Sequence, residues 1–139
     1  MTMHRVGATV IVMEHFDPVE ALRLIDAHKV TMAQFVPTMF VRMRKLPEAD
    51  RRAFDVSSMR AAIHAAAPCP IPVKEQMIAW WGPINQEYYA AMQGNGFCAI
   101  TTEEWVRRKG SVGRSRTVGL KLSGTNDARV PARPEATVY

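Results

Sequence analysis

The sequence predicts an α/β fold, a partial parallel sheet with flanking helices over residues 1–106, followed by short β-hairpin segments in a basic stretch, residues 107–139 of the same domain. Three observations predict it. Strand-like and helix-like patterns alternate through the first two thirds of the chain, which implies parallel strands joined by right-handed crossovers. Each helical pattern is bounded by a cap, a proline or a glycine. From Gly110 onward the texture changes to short apolar runs broken by turn residues.

The elements follow in order. Gly7–Met13 is a continuous apolar, β-branched run, the pattern of a strand buried on both faces. Asp17-Pro18-Val19-Glu20 supplies an N-cap, a proline at the first helical position and a carboxylate at the third, so a helix starts there with Ala21, Leu22 and Ile25 on one face. Val30–Val36 reads as a second strand, closed by Pro37. Met39, Phe40, Met43 and Leu46 recur at helical spacing and form a core stripe, and Pro47 stops that helix. Met59–Ala67 is a third strand. Pro72 opens a helix carrying Val73, Met77, Ile78, Trp80 and Trp81, which Gly82-Pro83 ends. Ile84–Ala91 is a fourth strand, followed by the turn Gly94-Asn95-Gly96. Beyond Gly110, Val118–Leu122 and the breaker Gly124-Thr125-Asn126-Asp127 suggest hairpins.

At 139 residues the chain suits one core. No apolar run is long enough for a membrane span and the N-terminus lacks the layout of a secretory signal, so the expected compartment is the cytoplasm. Cys69 and Cys98 are far apart and read as reduced thiols. Cys69 is better explained as a small apolar filler than as a nucleophile, because no base-orienting set accompanies it. His4, His15 and His28 read as surface residues with no metal-site spacing. The net charge of +5 is uneven: residues 1–106 carry 10 basic and 11 acidic side chains, residues 107–139 carry 8 and 2. A basic end could meet nucleic acid, but its one aromatic, Tyr139, is too few for a base-stacking surface.

Ligands in a parallel sheet collect at the carboxyl ends of strands. Two loops there carry chemistry. His64-Ala65-Ala66-Ala67-Pro68-Cys69-Pro70 follows the third strand, and its small residues would admit a flat ring close to the backbone. Glu87-Tyr88-Tyr89-Ala90-Ala91-Met92-Gln93-Gly94-Asn95-Gly96 follows the fourth and offers aromatic faces and exposed amides. Read alone, paired tyrosines serve packing more often than ligand stacking.

The order Val36–Phe40 (VPTMF), Asp55–Arg60 (DVSSMR), His64–Pro70 (HAAAPCP), Glu87–Gly96 (EYYAAMQGNG) and Gly110–Arg114 (GSVGR) resembles the acyl-CoA synthetases of the AMP-binding, adenylate-forming superfamily. The resemblance runs from about Gly7 to Tyr139 and implies a piece of the superfamily's large N-terminal domain. Such enzymes use ATP and Mg²⁺ to form an acyl-adenylate from a carboxylate, then pass the acyl group to coenzyme A. By this resemblance Ala66, Ala67 and Pro68 flank adenine, Tyr89 stacks on it, and Glu87 and Tyr88 stand at its edge. His64, Ala65, Ala66, Ala67 and Tyr88 would border the acyl pocket, and Gly110–Arg114 would be a structural turn.

The family's threonine for the α-phosphate and glutamate for Mg²⁺ are replaced by Met92 and Gln93. Methionine donates no hydrogen bond, and Mg²⁺ favours anionic oxygen. A lost charge pair at about 4 Å amounts to roughly 4 kcal/mol at an effective dielectric of 20, or about a thousandfold in rate. Nothing here matches the family's Ser/Thr/Gly-rich phosphate loop, its ribose-binding aspartate or its catalytic lysine. Ser115, Arg133 and Ala136 also depart from its usual proline and glycines. The expectation is a fragment of an AMP-forming carboxylic acid–CoA ligase, fatty acids being the expected substrates. It would keep the adenine and acyl loops and not catalyse alone. Two alternatives stand beside it: one half of a split, complementing ligase, and a non-catalytic nucleotide-binding or basic nucleic-acid-interaction module.

Overall fold

The computed structural model describes residues 2–90 and 96–116. In chain order these form α1 (Thr2–Arg5), α2 (Pro18–His28), β1 (Met32–Phe35), α3 (Pro37–Arg44), α4 (Glu48–Arg52), β2 (Ala61–His64), α5 (Ile71–Trp81), β3 (Asn85–Ala90), β4 (Phe97–Ile100), α6 (Thr102–Arg107) and β5 (Arg114–Ser115). The five strands make one sheet in sequence order. β1, β2 and β3 run parallel, and β4 and β5 join antiparallel, so the sheet is mixed. α6 runs through the expected boundary at 106/107, and β5 pairs with β4, so the described part of the second segment, residues 107–116, joins this sheet.

The local rules act where the sequence said they would. Asp17 caps α2: its carboxylate accepts from the Val19 and Glu20 amides at 3.0 and 2.9 Å. Pro37 opens α3, and Gly82 at φ 81° closes α5. Asp55 ties the approach to β2 onto α2: its amide donates to Asp26 and its carboxylate accepts from Lys29. The DVSSMR motif is therefore a structural clasp.

One expected strand is absent. Gly7–Met13 pairs with no strand among the described residues, and Val10, Ile11 and Val12 are 40%, 39% and 83% exposed. A run that is apolar on both sides needs a neighbouring strand and cover on each face, and no described segment supplies them. β3 (Asn85–Ala90) lies inside the expected strand Ile84–Ala91, so Glu87–Ala90, the first four residues of the Glu87–Gly96 stretch, are strand paired with β4 and not loop. Met92, Gln93, the turn at Gly94-Asn95, and the Val118–Leu122 hairpins lie outside the described residues.

Register assigns two faces to the sheet. Phe35, His64 and Glu87 align on one face with Ala62 and Asn85, and all are buried. Helices α3 and α5 cover this face, where Phe40 meets the rings of Phe35, Trp81 and His64 at 5.2, 6.3 and 5.5 Å. The opposite face carries Met32, Gln34, Ile63, Gln86, Tyr88 and Ala99, all half-buried or exposed.

Gly113 shows why the GSVGR turn needs glycine. Its φ is +86°, and a Cβ there would lie 2.1 Å from the Ala99 carbonyl oxygen. Gly113→Ala is expected to destabilise the fold by about 2–3 kcal/mol, read as a lower urea midpoint. An unchanged midpoint would mean that the turn is not packed against β4.

Candidate functional site

The two loops singled out in the sequence leave neighbouring strands on the same side. β2 and β3 are parallel and paired up to His64 with Glu87, so the loop starting at Ala65 emerges beside Tyr88 and Tyr89, about 5 Å away in the strand-to-strand direction. Ala66, Ala67 and Pro68 are exposed, and Tyr89 is 42% exposed. Ala66 has φ +75°, a left-handed backbone that costs a non-glycine residue about 1–3 kcal/mol and that folds accumulate at binding loops.

The side chains divide between the two faces. Tyr88 lies on the open face, where its ring stacks on Phe97 at 5.4 Å and its hydroxyl accepts from Gln34 Nε2 at 3.0 Å. With Ile63, Gln86, Ala99 and Thr101 it lines a groove of about 330 Å³. His64 and Ala65, expected to share an acyl pocket with Tyr88, are buried at 0% and 6% exposure, and His64 points to the opposite face. The pleat forces this: His64 pairs in register with Glu87 and shares its face, and Tyr88, the next residue along β3, points to the other side.

Glu87 turns inward. Its carboxylate accepts from Lys74 Nζ at 2.6 Å, and His64 Nε2 lies 3.7 Å from the same oxygen. Lys74 is fully buried and stands 4.7 Å over the Trp105 ring. Burial, and then the Lys74 charge, push the His64 pKa down to about 3, so the imidazole is neutral at pH 7. Its two ring nitrogens have no hydrogen-bond partner among the described residues. Burial and then the Glu87 charge raise Cys69 to about 11, which keeps it a thiol and supports the filler reading.

Lys74 belongs to none of the motifs singled out in the sequence. Its signal was present: Lys74, Met77 and Trp81 fall three and four residues apart on the buried stripe of α5. A lysine on such a stripe calls for a buried carboxylate partner.

The comparisons with known proteins bear on the family and the fold. A family model described as AMP-binding enzyme matches residues 1–135. Rice (Oryza sativa subsp. japonica) 4-coumarate–CoA ligase 5 is 45% identical over 64 residues, 46% of this chain and 12% of the ligase. A fatty acyl CoA synthetase of Mycobacterium tuberculosis superposes with a TM-score of 0.73 at 26% identity, covering 88% of this chain and 24% of that one. The amide bond synthetase McbA of Marinactinospora thermotolerans shares the fold, with a TM-score of 0.78 at 23% identity over 89% of this chain and 25% of its own. The present sequence thus spans a small part of the length of the relatives it matches. With its motifs in the family's order, a mixed sheet of the family's shape and a family model spanning almost all of its length, the chain belongs to the AMP-binding enzymes.

Proposed function

We propose that this chain is the adenine- and acyl-holding piece of an AMP-forming carboxylic acid–CoA ligase, with fatty acids as substrates, and that it does not activate a carboxylate alone. The observation carrying this reading is the pairing of β2 with β3, which leaves an exposed small-residue loop beside an exposed tyrosine. In the proposed arrangement Ala66, Ala67 and Pro68 form one wall for a purine and Tyr89 the other. Glu87 contributes from beneath, and the apolar groove along Ile63, Tyr88 and Phe97 takes the acyl group. His64 and Ala65 back that wall from inside the core.

The residues fit AMP better than they fit Mg²⁺. Gln93 offers a neutral amide where the family places a carboxylate, and the carboxylate of Glu87 is already held by Lys74. Methionine at 92 cannot donate to a phosphate. ATP or AMP is therefore the ligand proposed for this chain, and Mg²⁺ finds no anionic oxygen at position 93. The compartment proposed is the cytoplasm, supported by two free thiols, Cys69 and Cys98; among the described residues no helix is long and apolar enough to cross a membrane. The open sheet face favours one second reading, in which a complementing ligase chain covers it and supplies the phosphate-gripping parts.

The test is an NMR titration with AMP together with ATP–pyrophosphate exchange on a panel of carboxylic acids. Contacts to the purine alone give an expected Kd on the order of 0.1–1 mM and no exchange. No shift changes at 10 mM AMP would end the adenine reading. Vigorous exchange by the purified chain would end the claim of inactivity.

A further inference from the structure

We infer that Lys74 is a positioning residue that locks the two walls of the proposed purine slot to each other. The inference rests on the adenine reading above and adds what sets the slot's width. Lys74 lies one turn into α5, the helix that starts directly after the Ala66–Pro70 loop. Glu87 directly precedes Tyr88 and Tyr89 on β3. The 2.6 Å contact from Lys74 Nζ to Glu87 Oε2 therefore joins the helix that carries one wall to the strand that carries the other. His64, the last residue before the first loop, faces the same oxygen at 3.7 Å. All three side chains are buried, and Trp105 of α6 closes the site over the lysine.

Three features set this pair apart from an ordinary core contact. A buried ion pair is a poor way to gain stability, since apolar replacements of similar volume often do as well. It is directional, though: a 2.6 Å charge-assisted hydrogen bond fixes a distance that apolar packing leaves adjustable. It also anchors the first turn of α5, the helix that follows the loop with the left-handed backbone at Ala66.

The experiment compares the full chain with Lys74→Met, Lys74→Arg and the double replacement Lys74→Met/Glu87→Met. The readouts are thermal unfolding, AMP affinity by NMR titration at 10 °C, and amide hydrogen exchange. In the double variant, expected results are an unfolding temperature close to that of the parent, AMP affinity at least fivefold weaker, and exchange at 65–67 and 88–90 faster by at least tenfold together. Amides in α2 should keep their rates. Lys74→Arg, which keeps the charge, should recover part of the affinity. If Lys74→Met alone does not fold, the double variant carries the comparison. A double variant that regains both stability and AMP affinity, with parental exchange at both walls, overturns the inference. If the parent does not bind AMP, the adenine reading fails, and concerted exchange at the two walls still decides whether Lys74 positions them.

Discussion

Lowering the pH from 7 toward 3 is expected to cost the folded chain up to about 5 kcal/mol through His64 alone. Its pKa is held near 3 in the fold against 6.5 for a free side chain, and each unit is worth about 1.4 kcal/mol. The sign follows from which state binds the proton first. The folded-state value is depressed, so the unfolded chain protonates first as pH falls below 6.5, and stability drains away until about pH 3. The carboxylates Glu20 and Asp26, half-buried, and Asp55, exposed, are shifted in the direction that also costs stability in acid. Their windows open only below ordinary carboxylate values, between 3.8 and 4.5. Urea midpoints at pH 6.5 and 5.0 therefore isolate the histidine, for which about 2 kcal/mol is expected. His64→Phe should flatten that slope, and a slope that survives the replacement would refute the assignment.

Phe40→Ala should remove about 3–5 kcal/mol, a large part of what a domain of this size holds in reserve. Phe40 has no exposure and meets aromatic rings from β1, β2 and α5 within 5.2 to 6.3 Å. Truncation leaves a void that rings held by three different elements cannot collapse to fill. Phe40→Leu should cost less than about half as much, because it retains most of the volume. Chemical unfolding of both variants measures this, and an alanine variant within about 1 kcal/mol of the parent would mean that the core is not organised around this ring.

Much of the fold was readable, for identifiable reasons. Asp17-Pro18 and Gly82 bound helices because their effects are local, and β1, β2 and β3 each lie inside the runs marked out for them. Gly7–Met13 misled because an apolar run states what a strand needs without stating whether a partner exists. β4 and α6 lie outside the expected elements, although Thr101 and Glu104 form a reciprocal capping box whose pattern is visible in the sequence. The site was legible as loops and not as side-chain directions. The family resemblance puts His64 and Tyr88 in one pocket, and only strand register shows that they face opposite ways. Lys74 and Glu87 are 13 residues apart on different elements, a pairing that no periodicity encodes.

The uncovered segment Ala8-Thr9-Val10-Ile11-Val12-Met13 bears on how this protein behaves in a tube. Six residues rich in β-branched side chains, without charge or proline, have the composition of segments that stack into dry cross-β interfaces. Five of them, Ala8 to Val12, face water, and among the described residues β1 is bonded along only one side. Fibre growth through this segment would be governed by protein concentration and time, with the folded sheet still intact, so light scattering during storage would report on it while a melting curve would not.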